Sequence, residues 1–198
     1  LVLIAAMLGS GTPLWADDVP QAGAAAAGRP AADLPNDDPP PPEPPEVVRR
    51  DETGRTTVRA TRIATPLTID GALDEDVYRT VKSIGGFIQQ EPHFGEPVSE
   101  PTEAWIFFDD RNLYFAARCR DSHPERMVVT EMRRDNNNII QNENFSITLD
   151  TFHDRRNGLM FQTNPLGALR DTLITDEVNA NNDWNTIWDV KTVRDDQG

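Results

Sequence analysis

Apolar and polar positions alternate most cleanly between Asn144 and Thr175. Phe145, Ile147 and Leu149 alternate with Ser146, Thr148 and Asp150, the period of a half-buried strand. The polar run His153 to Asn157 ends at Gly158, and Asn-Gly between two alternating runs marks a hairpin. Leu159 and Phe161 then alternate with Met160 and Gln162. Pro165 and Gly167 punctuate the chain before a third run through Leu169, Leu173 and Ile174. The pattern predicts an antiparallel meander with charged loops.

The same period recurs on either side. Thr102 to Phe108 carries Ala104, Ile106 and Phe108 on one face and Trp105 and Phe107 on the other, which predicts a strand buried on both sides. Asp109 to Asn112 is the hairpin turn, and Leu113 to Arg120 the return strand. Further strands are expected at Thr56–Ile63, Gly86–Gln90, Met127–Met132 and Trp184–Val193. Asp70-Gly71 turns the chain ahead of a short helix that starts near Asp74 and Glu75, where acidic side chains suit the helix dipole. Leu73, Val77 and Tyr78 give this helix an apolar side. The polar run Arg133 to Glu143 and the Asn- and Asp-rich run Asp176 to Asp183 read as loops.

The N-terminal end breaks the pattern. Residues 1–16 are apolar and small and resemble a secretory signal peptide whose start is truncated, with cleavage after Ala16. The run is too short for a membrane-spanning helix. Residues 17–51, with an alanine run at 24–27 and consecutive prolines at 39–42, form an extended Pro/Ala-rich linker that cannot bury enough apolar surface to fold. The folded unit is therefore expected over 52–198. It ends at Gly198 without a closing element, so a truncated C-terminus is expected as well. An export signal places the protein in the periplasm or at the outer membrane of a Gram-negative bacterium.

The formal net charge of −14 over 198 residues argues against a nucleic-acid phosphate backbone as partner. It fits a soluble surface, with cation binding as the alternative. One cysteine, Cys119, allows no internal disulfide and sits in an apolar alternation, as a small core residue would. The histidines show no zinc-ligand spacing.

Five blocks taken together resemble a known family. Ile69-Asp-Gly-Ala-Leu-Asp-Glu75, Ser99-Glu-Pro-Thr-Glu103, Phe108-Asp-Asp110 with Leu113-Tyr-Phe115, Leu149 to Asn157 and Asn164-Pro-Leu-Gly167 are similar to the family 9 carbohydrate-binding-module-like domain. The resemblance spans roughly Arg55 to Gly198. More narrowly, it resembles the version at the amino terminus of large bacterial outer-membrane proteins whose remainder is thought to be a β-barrel. Tyr78 stands where that family usually has Trp. The resemblance implies an all-β, antiparallel β-sandwich of jelly-roll type and binding of a polysaccharide or oligosaccharide. It also implies a role in carbohydrate catabolism and a loose association with hydrolases acting on O-glycosyl bonds. A C-terminal β-barrel of the same parent protein is a further expected partner.

Sugar recognition needs flat aromatic faces and planar polar side chains. Trp184 and Trp188 share parity on the expected last strand, so they point the same way and form the candidate platform; the alternative is that both are core. The candidate polar partners are Arg133, Arg134, Asp135, Asn142 and Glu143, with a solvated loop as the alternative. Calcium takes oxygen ligands, and Asp176, Asn179 and Asp183 are the candidate set for a structural ion. Glycoside hydrolysis needs two carboxylates about 5 Å or about 6.5–9.5 Å apart. Glu143 and Asp150 are candidates, but their odd spacing points them to opposite sides of a continuous strand. A structural domain that packs on the parent barrel is the alternative to sugar binding, and a hydrolase is a further one.

Overall fold

The computed structural model describes residues 2–8 and 39–197. The expected cleavage region at 9–16 and the linker over 17–38 lie outside the described residues. The rest is nearly all β, arranged as a sandwich. The larger sheet has the order β11-β1-β6-β5-β4, with β1 at Val2–Leu8, the next has the order β10-β9-β8-β7, and β2 (Val48–Arg50) and β3 (Thr56–Val58) form a two-stranded sheet. The strands that carry most of the fold are β5 (Thr102–Phe108), β6 (Asn112–Cys119), β7 (Phe145–Leu149), β8 (Gly158–Thr163), β9 (Leu169–Thr175) and β11 (Trp188–Val193). β10 (Asn179–Asn181) extends the second sheet, and β4 (Thr61–Arg62) adds a parallel edge to the first.

Strict alternation explains the register of the meander. Phe145, Ile147 and Leu149 face Thr163, Phe161 and Leu159 across the β7–β8 pair. Phe161 in turn faces Asp171, and Gln162 faces Arg170, across β8–β9. One face of this sheet therefore carries Phe145, Leu149, Leu159, Phe161 and Leu169. These pack with Trp188 and Val190 of β11, which closes one sheet onto the other. The Asp150–Asn157 loop holds the hairpin through carboxylates. Asp150 accepts from the backbone N–H groups of Asp154 and Arg155, and Asp154 from those of Arg156 and Asn157.

β5 is buried on one face and half-buried on the other, where the sequence pattern predicts burial on both sides. Trp105 and Phe107 lie under the helix α1 (Asp76–Thr80) and its flanking loops, packed with Tyr78, Tyr114 and Ala116. Tyr78 meets Trp105 and Phe107 edge to face, at ring centroid distances of 5.5 and 5.6 Å. Full burial of an aromatic such as Phe107 contributes about 2–3 kcal/mol. The opposite face, with Ala104 and Ile106, looks into a cleft of about 570 Å³ between β5, β6 and β7. Cys119 is half-buried at this cleft, and burial pushes its thiol up from the ordinary value. Gly71 marks the close approach of the Asp70-Gly71 turn to β11: its φ is +90°, and a Cβ there would lie 2.8 Å from the Val193 side chain.

Val2–Leu8, read as the apolar part of an export leader, forms strand β1, antiparallel to both β6 and β11, in the chain that retains it. Several other expectations are corrected. The folded unit begins before residue 52, because β2 (Val48–Arg50) pairs with β3 (Thr56–Val58) and Val47 is buried. Met127–Met132 is not a strand; a single 3₁₀ turn at Pro124–Arg126 leads into irregular backbone. Gly86–Gln90 contributes only an isolated bridge, Ile88 to Pro97. The last strand begins at Trp188 rather than Trp184, because the chain from Asp183 to Ile187 is occupied by contacts with the Arg134 side chain and Asp171.

Candidate functional site

The outward face of the second sheet is polar. Side chains of one strand alternate across the sheet, so the residues between the core positions, Ser146, Thr148, Met160, Gln162, Arg170 and Thr172, share the other face. They are not independent. Ser146 Oγ and Gln162 Nε2 both donate to Asn144 Oδ1, at 3.3 and 2.9 Å. Arg170 Nη1 donates to Gln162 Oε1 at 3.0 Å, and Arg170 Nη2 to Asn182 Oδ1 at 3.1 Å. Thr172 Oγ1 completes the row with a 3.0 Å bond to the same Asn182 oxygen.

Arg170 gives this row its polarity. A guanidinium can only donate, so the amide oxygens of Gln162 and Asn182 must turn towards it. The Gln162 nitrogen then faces Asn144, whose own nitrogen is held by the Asn142 carbonyl at 2.8 Å. Gln162, Arg170 and Thr172 are buried, while Asn144, Ser146 and Thr148 are exposed and open the row to solvent. The face is thus a line of planar amides, a guanidinium and hydroxyls, fixed in orientation by one another.

The candidate polar residues fall elsewhere, and most of them hold loops. Arg133 pairs with Glu131 at 2.9 Å, and this guanidinium together with backbone N–H bonds holds the Glu131 carboxyl down to about 2. Arg134 pairs with the fully buried Asp171 at 2.8 Å and also donates to Asn185 and Asp135. Asp171 in turn accepts from Thr186 N–H at 2.6 Å, so the pair ties the chain after β10 to β9. Asp135 caps the free edge of β9 through the Asp171 N–H. Asn142 is buried, and its Oδ1 accepts from the N–H groups of Thr130 and Glu131 and from Asn164. Glu143 is exposed, and its backbone N–H donates to Val128. Asp135, Arg134 and Asn142 therefore belong to the supporting layer under the sheet edge.

Trp188 is buried and Trp184 is half-buried against the same cluster. Trp188 is 7% exposed and meets Phe161 edge to face at 5.3 Å; Trp184 is half-buried against the same ring at 6.3 Å. Both pack on Phe161, Trp188 from within the inter-sheet core and Trp184 from its margin, and since Trp184 precedes the strand, strand parity does not relate them. In the candidate calcium set, Asp176 is ion-paired with Arg156, Asn179 lies on β10, and Asp183 follows it. Among the described residues no group of three His, Cys, Asp or Glu side chains is gathered for a metal ion. Asp150 uses both carboxylate oxygens on its own loop, which leaves it poorly suited to acid–base work with Glu143.

The row through Gln162, Arg170 and Thr172 was not among the sequence candidates. Its signal is faint but present: Gln162 and Arg170 stand at positions of the alternation that carry no core residue, one on each of two adjacent strands. What the pattern cannot show is that Asn182 reaches back over them from the following loop. No helix among the described residues is long and apolar enough to cross a membrane. No family model, curated protein or solved structure matches the chain.

Proposed function

We propose that this protein is a carbohydrate-binding β-sandwich module that engages sugar hydroxyls through the outward face of β7, β8 and β9. The observation that carries the reading is the hydrogen-bonded row Asn144–Gln162–Arg170–Asn182–Thr172. Hydroxyl-rich ligands need donors and acceptors held in fixed directions, because each bond lost to poor geometry leaves a desolvated polar group. A row whose members orient one another on rigid strands supplies that preorganisation. The sequence resemblance to carbohydrate-binding modules points the same way, and the leader-like N-terminus supports an exported, envelope-associated setting. The aromatic contribution expected from Trp184 and Trp188 moves into the core, so the proposed contact surface is the polar sheet face.

Affinity electrophoresis of the full chain against a panel of soluble neutral and acidic polysaccharides tests this. Retardation by at least one glycan, reduced in Asn144→Ala and Ser146→Ala at the exposed end of the row, is the expected result. Mobility unchanged by every polysaccharide would refute it.

A second reading, a domain that packs on the β-barrel of its parent protein, draws on the apolar cleft beside β7 and on the nearby exposed side chains Phe87 and Ile88. Binding of the chain to the parent's barrel, abolished by Phe87→Ser, would favour it over sugar binding.

A further inference from the structure

Arg170 is a buried cation whose contacts are all neutral. It is 8% exposed, and its bonds go to the amide oxygens of Gln162 and Asn182. Its Nε is buried and has no acceptor among the described residues. No carboxylate among those residues pairs with it. Asp171, next along β9, points to the opposite face and gives its oxygens to Arg134 and Thr186. Asp135 is likewise spent on Arg134 and on the Asp171 N–H. A buried charge is normally paired, because its desolvation is offset only by an opposite charge and full hydrogen bonding.

The amide oxygens of the row are largely engaged. Asn144 Oδ1 and Asn182 Oδ1 each receive two bonds, and Gln162 Oε1 receives that of Arg170. Beside the hydroxyl oxygens and one lone pair of Gln162 Oε1, what the row still offers is mostly donors: the remaining N–H groups of Arg170 and Gln162, and the Asn182 amide. A donor-rich, positively charged face selects a ligand that brings acceptors and negative charge.

We infer that the glycan face holds an anion subsite centred on Arg170, which selects sugars bearing a uronate carboxylate or a sulfate ester over neutral ones. This rests on the glycan-binding reading above. Arg170 supplies the charge, Gln162 and Asn182 hold its plane, and Asn144 and Ser146 mark the edge from which the sugar enters. The subsite acts locally: the chain as a whole carries −14, which repels polyanions at long range. At about 0.15 M salt the screening length is about 8 Å, so that repulsion is damped while a contact with a buried guanidinium persists.

The experiment is affinity electrophoresis of the full chain at that ionic strength against polygalacturonate, dextran sulfate, and the neutral galactan and dextran, with thermal melts alongside. Retention by one of the acidic polymers should exceed that by its neutral counterpart by about tenfold, charge-assisted bonds being roughly twice as strong as neutral ones. The acidic arm that is retained identifies carboxylate or sulfate. Arg170→Gln should bring acidic and neutral retention together. Asn182→Asp places a carboxylate beside Arg170 within the fold; it should abolish the preference and raise the melting temperature. Equal retention of acidic and neutral polymers by the unmodified chain, or an acidic preference that survives Asn182→Asp, overturns the subsite while leaving glycan binding intact. No retention by any polymer overturns the glycan reading itself.

Discussion

The hydroxyl of Tyr114 donates to Asp109 Oδ2 at 2.7 Å, and this bond joins the buried aromatic cluster to the β5–β6 turn. The other Asp109 oxygen accepts from the N–H groups of Arg111 and Asn112. One carboxylate thus closes the turn from within and anchors it to the core. With the Tyr114 hydroxyl as the largest influence, the Asp109 carboxyl is held well below the usual carboxylate range.

A depressed carboxyl contributes stability that is full above its unfolded value, about 3.9 for Asp, and is lost as pH falls below it. Tyr114→Phe removes the main cause of the depression without removing the ring. The variant should melt about 3 °C lower at neutral pH. Its melting temperature should also fall less steeply than that of the parent between about pH 5 and pH 2. Equal acid slopes for the two proteins, measured by calorimetry, would show that the bond does not matter in solution.

Glu131 offers a site-resolved version of the same sign. Its carboxyl is held down to about 2, with Arg133 as the first cause. In Arg133→Ala the Glu131 carboxyl carbon should titrate clearly above 2 in a ¹³C NMR experiment, moving towards the ordinary value of about 4.3 while the backbone bonds hold it partly down. A titration that stays near 2 would mean that the backbone bonds from Met132 and Arg133 suffice on their own.

The loop residues divide by burial into those that hold the fold and those that do not. Asn164 is fully buried; its amide donates to the Glu131 carbonyl at 2.6 Å, and its oxygen accepts from Leu166 and Ala168. Asn164→Ala strands these groups and should cost about 2–3 kcal/mol in urea unfolding. Glu143, an exposed residue of the Arg133–Glu143 run, should change stability by less than about 0.5 kcal/mol on conversion to Ala. Comparable losses in the two variants would contradict the assignment of Asn164 as the loop's anchor.

Trp188 separates a core role from a sugar platform. Trp188→Ala opens a cavity against Phe161 and should cost about 3–5 kcal/mol, whereas Trp188→Phe keeps an aromatic in place and should cost less. If Trp188→Phe stays folded by calorimetry yet loses all glycan retention, the indole contacts sugar and the burial seen here does not describe the bound protein.

How much of this was legible in the sequence depended on whether a pattern had one physical reading or two. The β7–β8–β9 meander was plain, because Phe145, Ile147 and Leu149 alternate strictly and Asn157-Gly158 fits a hairpin. The Asp109–Asn112 turn was plain for the same reason. Trp184 and Trp188 were ambiguous: parity puts them on one side of the chain but not on the core side or the solvent side. Val2–Leu8 has no alternation, and a short continuous apolar run reads equally as a leader or as a strand buried on both faces. The Arg170 row was hidden for a different reason. Its partners come from three separated segments, and only the register of β8 on β9 and the return of Asn182 bring them together.

Strand β1 leaves one further consequence. It supplies seven residues between β6 and β11, and among the described residues no other strand joins those two. The run that reads as an export leader is therefore also the strand that joins β6 to β11. Without it the facing backbone edges of β6 and β11 would stand unpaired, one strand's width apart, with Trp188 at the border.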